Sequence, residues 1–256
     1  MADRSNPIDD PSRRLELAPM RDDPSWQEWE AMLASFYGEL NYGKHAGGRL
    51  MSAGHVLLED MIKEPSFANV LEVGSGTGEH LQFVKHDFEA YWMLDRNPAM
   101  IELSQKKYQD EKRNIQYRLG EVESLPFEDE SVDRLIATHV LEHVYRPHAV
   151  LREWNRVLRP GGLMSILIPT DPGMAWRIGR AFGTRPAVLK KGLPYDYFMA
   201  LEHVNPVNNL VALLEYYFPD GAKRWWPFRI ASMDLNFFYA FHGRKPFDQA
   251  KKLSIE

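Results

Sequence analysis

The 256-residue chain contains no cysteine. That absence excludes structural disulfides, thiolate metal sites and cysteine nucleophiles, and it fits a reducing compartment. No apolar run approaches the roughly 20 residues that a membrane-spanning helix needs. The acidic, polar start of the chain has no signal-like apolar core, so the expectation is a soluble, cytoplasmic protein. Positive charge is also short. The 31 Lys and Arg against 36 Asp and Glu leave a net charge of −5, which argues against a broad nucleic-acid-binding face. No His-Glu-x-x-His or similar set has metal-ligand spacing, so no metal is expected. Internal repeats and low-complexity tracts are missing too. With 44% hydrophobic, 12% aromatic and 26% charged residues, the composition is globular, and the length is enough for a sizeable core.

Residues 69–78 read Asn-Val-Leu-Glu-Val-Gly-Ser-Gly-Thr-Gly. Val70 to Val73 has the character of a short buried strand, broken only by Glu72. Three alternate glycines follow, and the apolar pattern resumes at Leu81, Phe83 and Val84. A strand, a glycine turn and a helix over 78–86 would let backbone approach a ligand closely, because a Cβ at Gly74 or Gly76 would block it. The first helical turn would offer N–H groups to a carboxylate or phosphate. Asp95 ends the next apolar strand, 21 positions after Gly74, near the roughly 20-residue spacing at which an acid meets a ribose diol. A dinucleotide fingerprint would put its third glycine three positions after the second. That position holds Glu79, and the third glycine is Gly78. Glu72 and Glu79 would repel a pyrophosphate, and they suit a ligand with an amino group and a cationic sulfur.

Glu72-Val73-Gly74-Ser75-Gly76-Thr77-Gly78 resembles the first motif of class I S-adenosylmethionine-dependent methyltransferases. Leu125-Pro126-Phe127 before Ser131-Val132-Asp133, then Leu141-Glu142-His143-Val144, then Arg156 to Gly162 are similar to later hallmarks of the small-molecule branch, in the same order. The likeness covers about residues 67 to 170. It implies a doubly wound α/β fold: a mostly parallel, seven-stranded Rossmann-like sheet with an N-terminal helical cover and a cap inserted after the fifth strand. It also implies S-adenosylmethionine as cofactor, with Glu72, Gly74, Ser75, Gly76, Thr77, Gly78, Asp95, Arg96, Glu121, Val122 and His139 around it. The family more often has Asp at the position of Glu121.

The chain divides on this reading into a flexible arm (1–24), a helical lid (25–66), the cofactor-binding core (67–170), a cap (171–204) and a last helix with a closing strand pair (205–256). Helical spacing runs from Ser25, a plausible N-cap, to Leu40, and Gly47-Gly48 separates it from a second helix, Leu50 to Ile62. Strands are expected at 70–73, 90–94, 115–119, 132–138 and 163–169, with helices at 98–110, 141–145 and 147–158. Asn205-Pro206 reads as an N-cap and first-turn proline opening a helix to about Phe218, and segments near 223–231 and 234–242 read as the closing strands. Residues 171–204 read as a long connection. Between Pro172 and Tyr195 it carries five Arg or Lys and no acid, which points to an anionic acceptor. Candidate general bases are His139, His45 and His203, and candidate acceptor contacts are Tyr37, Tyr42, Arg177, Arg185, Tyr195 and His203. The expected reaction is methyl transfer to an oxygen or nitrogen of a small acceptor such as a sugar, glycan unit or natural-product acid. Carbon methylation of an isoprenoid or quinone precursor is the alternative. A nicotinamide-dependent oxidoreductase and a non-catalytic cofactor-binding protein lie outside the class.

Overall fold

The computed structural model divides into two units, Met1–Tyr37 and Gly38–Glu256, and describes Trp29 and residues 46–247. Of the first unit only Trp29 is described, helical and buried. The expected arm, most of the first helix, and Tyr37, Tyr42 and His45 lie outside the described residues.

The second unit opens with α1 (Ala46–Glu59). Gly47 and Gly48 therefore lie in the first turn of this helix rather than ahead of it. Glycine costs about 1 kcal/mol in a helix interior but less in a first turn, whose N–H groups lack intrahelical partners anyway, and Ser52 Oγ donates to Gly48 O at 2.9 Å. Seven strands follow: β1 (Ser66–Val73), β2 (Asp87–Asp95), β3 (Ile115–Leu119), β4 (Val132–Thr138), β5 (Leu158–Pro169), β6 (Ala222–Trp226) and β7 (Phe238–Arg244). They form one sheet in the order β3-β2-β1-β4-β5-β7-β6. The first five are parallel. β7 runs antiparallel to both β5 and β6, so the sheet is mixed. The closing strands are shorter than the aromatic pattern indicated: β6 ends at Trp226 rather than near 231, and β7 starts at Phe238 rather than near 234. Asn236 fixes the intervening loop, accepting from Phe228 N and donating to Ile230 O and Ser232 O.

Side chains alternate across each strand. Leu71, Val73, Leu135, Ala137, Met164, Ile166, Tyr239 and Phe241 share one core with α3 (Pro147–Val157) and with α7 (Val207–Tyr217). Val70, Ile136, Leu163, Leu167, Phe238 and Ala240 face the other core, with Leu57 and Leu58 of α1. α2 is Pro98–Lys107, capped by the Asn97 side chain. This second face also holds a buried polar seam. Arg134 of β4 donates to Glu59, to His86 Nε2 at 2.6 Å and to Ser165 Oγ at 3.0 Å. Glu59 also meets His80 Nε2 at 2.9 Å, and His242 joins Ser165 to Leu58 O. Every member has a partner, which a charge at this depth requires.

Three sequence expectations change here. The helix over 78–86 is only a 3-10 turn, Glu79–Phe83, because Gly78 precedes it at φ 72° and Val84 leaves it extended. Residues 171–204 are not an open connection but three helices, α4 (Met174–Phe182), α5 (Thr184–Leu189) and α6 (Tyr195–Glu202). Asp234 caps α4, accepting from Met174 N at 2.9 Å. Asn205 does not cap α7, which begins at Val207. Its side chain instead donates to Leu141 O at 2.9 Å and to Val144 O, pinning the turn after β4.

Candidate active site

The strand order reverses between β1 and β4, and open α/β sheets bind ligands at the carboxyl ends of the strands there. Gly74, Gly76 and Gly78 all have positive φ (62°, 52° and 72°), which glycine alone adopts at little cost. At Gly74 the protein itself adds a reason: a Cβ would sit 2.6 Å from Val140 Cγ2. At Gly78 it would sit 2.9 Å from Met93 Sδ and from Tyr108. The loop's N–H groups are largely committed within the chain. Ser75 N donates to Leu94 O at 3.0 Å, Gly78 N to Ser75 O at 2.8 Å, and Gly76 N to Asp95 Oδ2 at 2.8 Å. Ser75 Oγ is buried with no hydrogen-bond partner.

Asp95 ties the glycine loop to α2, since its other oxygen accepts from Asn97 N at 2.9 Å. A carboxylate has about four acceptor positions, so acceptor capacity remains for a diol. Burial pushes its pKa up, against the backbone N–H groups of Asn97, Gly76 and Arg96 and the Arg96 charge. Glu72 lies beneath the loop at 1% exposure, where burial pushes its pKa up to about 7 despite His80, Lys107 and the Tyr91 hydroxyl donating at 2.9 Å. Glu79 is held by Lys107 at 2.8 Å. Arg96 and Glu121 are exposed. Gly120 N donates to Asp95 O at 3.0 Å, which brings the turn carrying Glu121 and Val122 alongside Asp95. Val122 packs on the core, its carbonyl accepting from Trp154 Nε1 at 3.0 Å.

His139 follows β4 with φ 58°, a left-handed conformation uncommon for a side chain with a Cβ. Its N–H donates to Leu167 O at 3.0 Å. Its Nδ1 lies 3.6 Å from Glu142 Oε1, and its Nε2 is buried with no hydrogen-bond partner. Burial works against the Glu142 charge, but His139, His143 and His203 together hold its pKa below the usual carboxylate value. Sequence reading had placed Glu142 in a motif without giving it a role; its three-residue spacing from His139 was the visible signal.

The cap residues separate. Arg185 is exposed and bound by Asp196 through both carboxylate oxygens. Arg180 pairs with Asp171. These two acids bracket the segment counted as purely basic and answer two of its five cations, so the cap is not a uniform cationic roof. Arg177 is exposed on α4. Tyr195 is buried, its hydroxyl 3.0 Å from Thr184 Oγ1, and does not serve as an open contact. His203 meets Asp171 Oδ2 at 2.8 Å and stands edge-on to His143, with ring centroids 4.9 Å apart. His143, Glu202 and His203 converge although 59 residues separate the first two, a grouping invisible to any search for local ligand spacing.

Residues 71–166 match the family described as a methyltransferase domain. Over this span the chain is similar to methyltransferase domains. Relatives include the uncharacterized methyltransferase YodH of Bacillus subtilis, 30% identical over 122 residues, covering 48% of this chain and 51% of that protein. The phthiotriol/phenolphthiotriol dimycocerosates methyltransferase of Mycobacterium leprae is 35% identical over 116 residues, covering 43% of this chain and 41% of that one. The chain spans about half the length, or less, of the curated relatives it matches. A solved methyltransferase of Thermotoga maritima, described as a possible histamine N-methyltransferase, shares the fold with a TM-score of 0.59 and 18% identity, over 86% of this chain and 99% of that one. The [4+2]-cyclase SpnF shares it at 0.60 and 15%, over 87% and 96%.

The cofactor of the methyltransferase family is S-adenosylmethionine, and the residues present fit it. The left-handed glycines keep Cβ atoms out of the loop, Asp95 keeps acceptor capacity for ribose hydroxyls, and Ser75 Oγ lacks a partner. No helix among the described residues is long and apolar enough to cross a membrane.

Proposed function

We propose that the chain transfers the methyl group of S-adenosylmethionine to a hydroxyl oxygen or amine nitrogen of a small acceptor, with His139 as the general base. The observation that carries this reading is the His139–Glu142 pair: a left-handed backbone presents an imidazole whose buried Nε2 has no hydrogen-bond partner, with a carboxylate 3.6 Å from Nδ1. The cofactor supplies an electrophilic methyl on a positive sulfur. Glu142 holds the ring with Nδ1–H toward itself, and Nε2 accepts the acceptor's proton as the new bond to carbon forms. Strand and loop hold both reactants in line. His139→Ala should lower the methylation rate about 10²–10⁴-fold while S-adenosylmethionine affinity, read by calorimetry, stays constant. A variant losing affinity and rate together would make His139 a cofactor ligand instead.

A second reading, carbon methylation of an apolar acceptor, draws on the cap surface. Met174, Ile178 and Phe182 form a stripe at helical spacing on α4, exposed to 53%, 52% and 86%, near the apolar face a long hydrocarbon tail would need. The relatives include proteins whose names give quinone acceptors. Assay of a phenolic or carboxylate acceptor beside a prenylated quinol precursor separates the two. Thermal shift with S-adenosylmethionine against NAD tests the oxidoreductase alternative. Slow hydrolysis of the cofactor with no acceptor methylated would support a non-catalytic protein.

A further inference from the structure

The turn after β4 and the end of α6 bring together three groups with the chemistry of metal ligands. His143, Glu202 and His203 each present a nitrogen or oxygen within 4.8 Å of the others. The hydrogen bonds around the two imidazoles decide which of their nitrogens keep a lone pair. His143 Nδ1 lies 3.0 Å from the Glu202 carbonyl, so Nδ1 carries the proton and Nε2 keeps its lone pair. His203 Nδ1 lies 2.8 Å from Asp171 Oδ2, and Arg180 pairs with that same carboxylate. Asp171 can only accept, so His203 Nδ1 also carries its proton and Nε2 again keeps the lone pair. Arg180 Nη2 stands 3.4 Å from His203 Nδ1, its charge answered by Asp171. Imidazoles that bind metals usually donate their other N–H to a carbonyl or carboxylate, which fixes the tautomer and aims the ring. Here both rings are held that way, by one partner of each kind.

A second buried carboxylate stands beside one of these rings. Glu142 is 2% exposed. Its Oε1 lies 3.8 Å from His143 Nε2, and its Oε2 is buried with no hydrogen-bond partner. A buried carboxylate oxygen without a donor is costly unless something positive faces it.

We propose that His143, Glu202 and His203 form a site for a divalent transition metal of the zinc type, with an open coordination position toward the crevice beside His139. Two imidazoles and one carboxylate are the ligand set of open zinc sites, whereas magnesium and calcium take oxygen ligands. Bonds of about 2.0–2.2 Å place tetrahedral ligand atoms about 3.4 Å apart, so the side chains must draw together from their present spacing. Glu202 ends α6 and His203 caps it, and both are only half-buried, which leaves room for that movement. The site's role rests on the acceptor reading above: the open position would take an oxygen of the acceptor and present it to His139.

Metal binding is tested apart from methyl transfer, by calorimetric titration of untagged, chelator-treated full-length chain with Zn²⁺, with neither cofactor nor acceptor present. Expected are one equivalent bound at micromolar Kd or tighter, no competition by Mg²⁺, and a loss of about 10–100-fold in Asp171→Asn, which removes only the partner of a ligand. His143→Gln/His203→Gln should abolish the tight phase while S-adenosylmethionine binding persists. Co²⁺ added to the unaltered chain should give the intense visible bands of tetrahedral coordination, a readout that needs no variant. No tight phase, or a tight phase unchanged in the double variant, overturns the site. Zinc binding in a chain that methylates no acceptor would leave the metal site standing and remove the functional reading.

Discussion

At the residue scale, burial rather than residue type decides what each acid does. Glu72, Asp95 and Glu142 all lie near the carboxyl ends of the central strands, yet their environments differ. Asp95 binds two backbone N–H groups, Glu142 faces histidines, and Glu72 has chiefly a tyrosine hydroxyl in an apolar surrounding. Only Glu72 is driven far up, to about 7 from an ordinary 4.5, by burial first and Asp95 to a lesser degree. A carboxyl whose pKa is raised on folding contributes stability that is complete below about pH 4.5 and lost as pH rises toward 7, because the unfolded chain ionises first. Glu72→Gln lacks that titration. Urea unfolding at pH 4.5, 5.5 and 7 should therefore show the variant gaining on the natural chain by up to about 3 kcal/mol across this window. A constant difference would mean that Glu72 ionises as it does in water. His242, pushed down to about 4 by burial, titrates in both proteins and cancels in the comparison.

The cap shows what elements add to a count of charges. Helices α4, α5 and α6 fold the segment so that Arg185 reaches Asp196, eleven residues away, and Arg180 reaches Asp171. An exposed pair such as Arg185–Asp196 contributes only about 0–1 kcal/mol to stability, but it does occupy the arginine. Arg177 stands on the same helix as the apolar stripe. If the acceptor is anionic and held by the cap, Arg177→Ala should raise its KM several-fold, and added salt should reproduce part of the effect. Arg185→Ala should leave KM within about twofold. Steady-state kinetics with both variants decides this, and equal effects would return the uniform basic roof.

For the whole molecule, the polar seam under α1 matters more than its size suggests. Arg134 and Glu59 are both fully buried, and the pair joins the covering helix to the central strand β4. Removing one partner of a buried ion pair typically costs about 3–5 kcal/mol, because the other charge stays behind. Arg134→Leu should lose that much in urea unfolding, and Arg134→Leu/Glu59→Leu should recover most of it. A single variant within about 1 kcal/mol of the natural chain would mean that the seam is hydrated. The sequence determined the parallel core by itself: β1 to β5, the glycine loop and Asp95 follow from short apolar runs and backbone conformations that are local properties of short stretches. It also marked His139 at a strand end. Local chain could not decide pairings between distant residues. The seam that closes Arg134 on Glu59, 75 positions away, the antiparallel β7, the pairing of two of the cap's arginines and the meeting of His143 with His203 all depend on which surfaces the packed sheet brings within a few ångströms. Buried charge and hydrogen-bonding groups must find partners wherever folding leaves them, and only the tertiary structure fixes where that is.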